Sequence, residues 1–258
     1  MNRGLWDRET VAALLLISAL PLAVTWLALD GPFGLLRLAV FLVVAGVWHL
    51  VWMLARAQPP SLAGALTALA LAVLAPEDLG PVALLLSTTF GVVAAELTFG
   101  GWGRNVLNPA TVTLAFMGFG FPAAPWPDLA IQVGWASWAM LAMGLALGVL
   151  PGPVVLGALG TLGLAALTGA PVWAAMPAVC AGLALLVADP VASATTPLGR
   201  WLNGALYGGL CTLFLAFWQD AAPVQIAVSS ALLASLAAPL FDEISIALWL
   251  RRRNRRHG

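Results

Sequence analysis

The chain has 258 residues, of which 62% are hydrophobic and 9% charged, and its mean hydropathy is +0.98. A soluble domain is about one quarter charged, so a water-soluble fold of this length is excluded: it could not hide so much apolar surface. The formal net charge is zero, which by itself selects no partner, and no nucleic-acid partner is expected.

Met1 to Thr10 carries Arg3 and Arg8 with Asp7 and Glu9, then enters a long apolar run with no small-residue cleavage site. This predicts a first membrane span rather than a removed signal peptide. Charged residues and Pro/Gly breaks then divide the chain into ten apolar segments: 10–29, 33–55, 61–75, 80–97, 106–121, 132–150, 152–168, 171–187, 201–219 and 224–250. A full crossing takes about 20 residues, so the shorter segments are expected to be tilted, broken or re-entrant. The predicted fold is an all-α integral membrane bundle of about ten helices. Residues 1–250 form a single transmembrane domain and 251–258 a basic cytoplasmic tail. Ten segments suit two five-helix halves, a common plan for membrane carriers.

Every basic residue is Arg. With the N-terminus inside, the cytoplasmic side receives Arg3, Arg8, Arg56, Arg104, Arg200 and the cluster from Arg251 to Arg256, and only Arg37 falls outside. The opposite side receives Asp30, Glu77, Asp78, Asp128 and Asp220. This separation follows the excess of positive charge in cytoplasmic loops and predicts a multi-pass protein of the bacterial inner membrane with both termini cytoplasmic. Trp6, Trp126, Trp201 and Trp218 fall at predicted interfaces, where indoles anchor. Cys180 and Cys211 sit singly in apolar runs and read as buried packing thiols; no metal site is expected.

Two connections carry the polar chemistry, and both are predicted to open to the cytoplasm. In the first, Glu96 to Ala110, the residues Gly100, Gly101 and Gly103 permit tight turns. Asn108-Pro109 reads as an N-cap followed by proline at the first helical position. Asn105 and Asn108 add two amides, each with a donor pair and an acceptor, which suits the C=O, N–H, C=O edge of an isoalloxazine. The plainer alternative is a capped helix start whose amides close the turn. Gly101-x-Gly103 is no dinucleotide fingerprint, because no βαβ unit surrounds it.

In the second connection, Ala188 to Trp201, Asp189-Pro190 repeats the cap-plus-proline pattern, and Ser193, Thr195 and Thr196 supply hydroxyls before Pro197. The alternatives for Asp189 are a functional acid at the membrane or a helix cap paired with Arg200. Glu96 is placed to neutralise Arg104, His49 to make a polar or interfacial contact, and Asp242 and Glu243 to face the bundle or mark a break near Pro239.

These segments resemble the signatures of the RnfD/NqrB family, the large membrane subunits of Rnf complexes and of the sodium-pumping NADH:quinone oxidoreductase. The resemblance rests on the glycine- and asparagine-rich stretch from Gly100 to Ala110 and on Ala188-Asp-Pro-Val-Ala-Ser193. It is completed by the Ala-Pro-Leu-Phe-Asp run from Ala238 to Asp242 with its basic tail, and it extends from about Pro59 onward. It implies a ten-helix subunit of a respiratory electron-transfer complex, with other membrane subunits and a quinone as partners in the lipid bilayer. It also implies a non-covalent riboflavin or FMN at Asn105 and Asn108, flanked by Gly100, Gly101, Gly103 and Pro109. The family's covalent FMN is attached to a threonine in a Ser-Gly-Ala-Thr motif, whereas no threonine occurs here from Phe121 to Leu150. Covalent FMN is therefore not expected, and the chain resembles a shortened, accessory member rather than a complete catalytic subunit. The competing reading is a channel or carrier for a small neutral or flavin-like solute. An aquaporin would need two Asn-Pro-Ala half-helices from opposite faces, and the chain has one copy. A structural or assembly factor with an empty site is a third reading.

Overall fold

The computed structural model describes residues 7–57, 61–218 and 220–257, without the side chains of 254–257. Arg3, Trp6 and Pro59, together with the side chains of Arg255 and Arg256, lie outside the described residues. Among those described, the chain is helical with no strand: α1 (Arg8–Arg56), α2 (Ala63–Leu74), α3 (Pro81–Gly91), α4 (Pro109–Gly120), α5 (Ile131–Ala146), α6 (Gly152–Leu167), α7 (Met176–Gly182), α8 (Pro197–Phe217) and α9 (Pro223–His257). The chain is thus an all-helical, multi-pass membrane protein. Three helices, Arg8–Arg56, Pro81–Phe99 and Pro223–Arg253, are long and apolar enough to cross a membrane.

The 49 residues of α1 would reach about 74 Å if straight, yet Glu9 at its start bonds Ser61 just beyond its end, at 3.2 Å. The helix therefore folds back. The reversal sits at Gly31, whose φ of 61° and ψ of −140° break the helix before Pro32. This restores the two segments expected at 10–29 and 33–55, and among the described residues each apolar segment read from hydropathy holds a helix.

Helix α3 widens into a π stretch at Val92–Glu96 and a 3-10 turn at Leu97–Phe99, and α7 likewise continues as a π stretch at Leu183–Val187. Helix α8 begins four residues earlier than expected, at Pro197, because Thr196 caps it by accepting from Gly199 N–H. Helix α9 continues through the basic run to His257.

The short helices occupy the centre. Nearly every residue of α2 and of the stretch Ala178–Val187 is buried. At about 18 Å, the 12 residues of α2 fall short of the roughly 30 Å hydrocarbon core. Just beyond its C-terminus the carbonyls of Ala75 and Pro76 accept hydrogen bonds from Arg37 of α1, so a cation stands near the negative end of the helix dipole. Longer helices enclose this core and turn Leu20, Val24, Phe33, Leu36, Leu54 and Phe217 outward. Such an apolar exterior suits lipid.

Small residues set the closest crossing. Gly204 and Gly208 of α8 lie directly on the α6 backbone; a β-carbon at Gly204 would collide with the Val154 carbonyl and stand 2.9 Å from Ala158 N. Bilayer helices associate through such small-residue contacts, since lipid removes the hydrophobic drive between them.

Candidate functional site

The polar connections collect at one end of the bundle. Arg8 at the start of α1 donates to the Trp102 carbonyl, and Glu9 accepts from Ser61 Oγ and Leu62 N–H. Asn108 donates to Asp189, and Thr195 and Thr196 donate to Asp242. Asp30 and the Arg37–Ala75–Pro76 contact lie at the other end, where Glu77 N–H donates to the Pro125 carbonyl. The two motif segments thus share one end of the protein.

The first segment folds as its residues predict. Gly100, Gly101 and Gly103 have φ of 105°, 86° and 91°, a region that favours glycine. Helix α4 starts with Asn108 as N-cap, whose Oδ1 accepts from Thr111 N–H at 3.2 Å, and with Pro109 at the first helical position. The Asn105 amide closes its own loop: Oδ1 accepts from Gly103 N–H at 3.1 Å, and Nδ2 donates to the Leu107 carbonyl at 3.0 Å.

The second segment departs from its expected geometry. Asp189 caps no helix and does not pair with Arg200, whose Nε donates to the Ala194 carbonyl instead. Asp189 Oδ1 accepts from Val191 N–H at 2.8 Å, and its Oδ2 accepts from Asn108 Nδ2 at 2.9 Å. Asn108 and Asp189 are both buried, and their bond joins the two motifs across 81 residues of sequence. Pro190 opens the tight turn that follows. The Thr195 and Thr196 hydroxyls and N–H groups converge on the Asp242 carboxylate at 2.6–3.2 Å. Asp242 therefore clamps the second loop to α9, a role that an acid inside an apolar run does not announce. Ser193 Oγ in the second loop and Thr111 Oγ1 in the first turn of α4 are buried with no partner among the described residues.

Glu96 also has a partner other than the one expected. It does not neutralise Arg104; its Oε1 lies 3.2 Å from His49 Nε2 on the returning half of α1.

These positions test the fit of a flavin. In this conformation Asn105 turns one N–H and its oxygen to its own loop, and Asn108 turns its oxygen to α4 and one N–H to Asp189. Gly100, Gly101 and Arg104 spend their N–H groups on the carbonyls of Leu97, Glu96 and Gly101. The gap beside the turn, lined by His49, Trp52, Ser61, Glu96, Leu97, Gly101 and Trp102, is too narrow for a water. The closed turn leaves no room beside these amides for an isoalloxazine.

Fold and site together define a polytopic helical membrane protein whose two loop motifs are bonded at one end of the bundle. The family model described as NQR2, RnfD, RnfE matches residues 6–143, more than half of the chain, and the protein belongs to that family. It is similar to a Na(+)-translocating NADH-quinone reductase subunit of Klebsiella pneumoniae subsp. pneumoniae, with 27% identity over 83% of this chain and 66% of the relative. It is also similar to the subunit of the same name from Pseudomonas paraeruginosa, with 26% identity over 84% of this chain and 68% of the relative. The chain spans about two thirds of the length of these curated relatives.

Proposed function

We propose that this chain is a membrane subunit of a respiratory-type electron-transport complex, docked through its helix surfaces onto further membrane subunits. The observation that carries this reading is the Asn108–Asp189 bond, which joins two of the segments on which the resemblance to that family rests. In this reading ten helices cross the bacterial inner membrane as two five-helix halves. Residues 1–250 form the membrane domain, and 251–258 form a basic tail on the cytoplasmic side with the N-terminus. The gathering of Arg8, Arg104 and Arg200 at the loop-bearing end, with Arg37 at the other, supports that orientation. The relatives' name brings a quinone into the proposal as electron acceptor.

One non-covalent riboflavin or FMN belongs to the proposal only for a conformation in which the 100–108 turn has opened. Each Asn amide makes one bond through its oxygen and one through its nitrogen, so a lone pair and an N–H remain on each for a ligand.

The test is purification from native membranes in mild detergent, followed by protein identification, visible absorbance and denaturation. Co-purifying membrane redox subunits are the expected result, and flavin released on denaturation would add the opened-turn arm. A chain isolated alone, without pigment, that carries solute flux in liposomes would overturn the reading in favour of a carrier.

A further inference from the structure

His49 and Glu96 are used by nothing described so far. His49 Nδ1 lies 2.9 Å from the Ala45 carbonyl of its own helix. A carbonyl only accepts, so Nδ1 carries a hydrogen and its tautomer is fixed. On the other side of the ring, Nε2 faces Glu96 Oε1 at 3.2 Å, and Glu96 is fully buried. That contact is a hydrogen bond only when a proton lies on Nε2 or on Oε1. Imidazolium with carboxylate and imidazole with carboxylic acid both have zero net charge and differ only in the proton's position. Without the proton, a nitrogen lone pair would face a buried carboxylate, which the surroundings do not compensate.

Two further atoms mark the place as a site. Glu96 Oε2 and Trp52 Nε1 are buried without a partner among the described residues, and both residues line the gap beside the turn. Glu96 also closes the π stretch of the third helix, a distortion frequent at functional positions. We propose that His49 and Glu96 form a buried proton-binding site, holding one exchangeable proton on the Nε2–Oε1 bond.

The structure supplies an approach to it. A groove of about 320 Å³ between α1 and α2 reaches the imidazole; His49 and Ser61 are the polar side chains of its lining, and Leu42, Leu50 and Met53 are apolar. Ser61 in turn bonds the half-exposed Glu9. Glu9 and Ser61 thus stand between the loop-bearing end and the imidazole. Arg8 approaches through the Trp102 carbonyl, and Asp189 of the α7–α8 connection lies within Coulombic reach of Glu96. Among the described residues no third His, Cys, Asp or Glu joins the pair, so the ligand assigned is a proton rather than a multivalent metal ion. The assignment does not depend on the electron-transport reading.

The chain has 2 histidines, so His257→Gln leaves His49 as a single reporter. The experiment is solid-state NMR of this full-length variant, labelled with ¹⁵N-histidine in lipid bilayers, between about pH 5 and pH 8. Nδ1 should be protonated throughout, with the Nε2 signal displaced by a shared proton, and Glu96→Gln should return Nε2 to an ordinary tautomeric position. A bare Nδ1, or a His49 signal unmoved by Glu96→Gln, would overturn the assignment. Should Glu96→Gln not fold, the parent tautomer decides alone. Infrared spectra of His49→Gln provide a second check: the Glu96 carboxyl band must shift, and an unchanged band counts against the pair.

Discussion

Removing the Asn108 side chain cuts two supports at once, and their sizes differ enough to be separated. Asn108→Ala deletes the N-cap of α4, worth about 1 kcal/mol. It also leaves the buried Asp189 Oδ2 without its donor, which costs about 1–3 kcal/mol more. The expected total is roughly 2–4 kcal/mol. Asn108→Ser keeps a capping oxygen for Thr111 N–H but cannot span to Asp189, so it isolates the second contribution. Pairing either change with Asp189→Asn closes a double-mutant cycle whose coupling should exceed about 1 kcal/mol. Reversible unfolding in mixed micelles, followed by tryptophan fluorescence, reads all four species. A coupling indistinguishable from zero, or an Asn108→Ala protein within about 0.5 kcal/mol of the parent, would refute the idea that this bond joins the motifs. Flavin lost from an Asn108 variant would not by itself identify a ligand, because the same amide caps α4 and joins it to Asp189.

Gly204→Leu should abolish the folded bundle and Gly204→Ala should weaken it by about 1–3 kcal/mol, since any β-carbon there meets the α6 backbone; trypsin resistance of the purified variants measures this. Arg37→Leu leaves the Ala75 and Pro76 carbonyls at the end of α2 without their donor and should cost about 1–3 kcal/mol, whereas Arg37→Lys should recover part of it in the same unfolding assay. Asp242→Ala removes the acceptor shared by Thr195 and Thr196; hydrogen exchange at the Thr195, Thr196 and Gly199 amides should rise, while α6 amides stay as protected as in the parent. Cys180 and Cys211 are free and buried, so maleimide should label neither until the protein is denatured.

Much of the architecture is legible because bilayer helices are written in composition. Ten apolar segments and their breaks follow from hydropathy and Pro/Gly punctuation, and the Asn108-Pro109 start of α4 follows from capping chemistry alone. The glycine turn is legible too, since three closely spaced glycines ask for positive φ. Partners distant in sequence are not. Asp189 could have capped a local helix, and only the packed bundle brings it to Asn108. Glu96 has Arg104 eight positions away in sequence, yet the π stretch and the returning half of α1 deliver it to His49. The start of α8 is misplaced by sequence reasoning because Pro197 reads equally well as the end of a turn or the beginning of a helix. The choice is made by Thr196, whose hydroxyl accepts from Gly199 while donating to Asp242.

The two π stretches bear on why the polar chemistry gathers at one end. Each lies at the C-terminal end of its helix, just before a motif loop: Val92–Glu96 ahead of the glycine turn, and Leu183–Val187 ahead of Asp189. A π turn lengthens the i-to-i−4 ladder by one residue and rotates everything beyond it. The loop that follows is thereby aimed at a neighbour rather than left continuing along the helix axis. Gly101 N–H donates to the Glu96 carbonyl across the first of these junctions, and Ala188 N–H donates to the Leu183 carbonyl across the second. Backbone groups freed from helical pairing are thus answered locally, as membrane depth demands. Asn108 and Asp189 are then left to answer each other, so restoring a regular helix at either junction should separate the motifs even with both side chains intact.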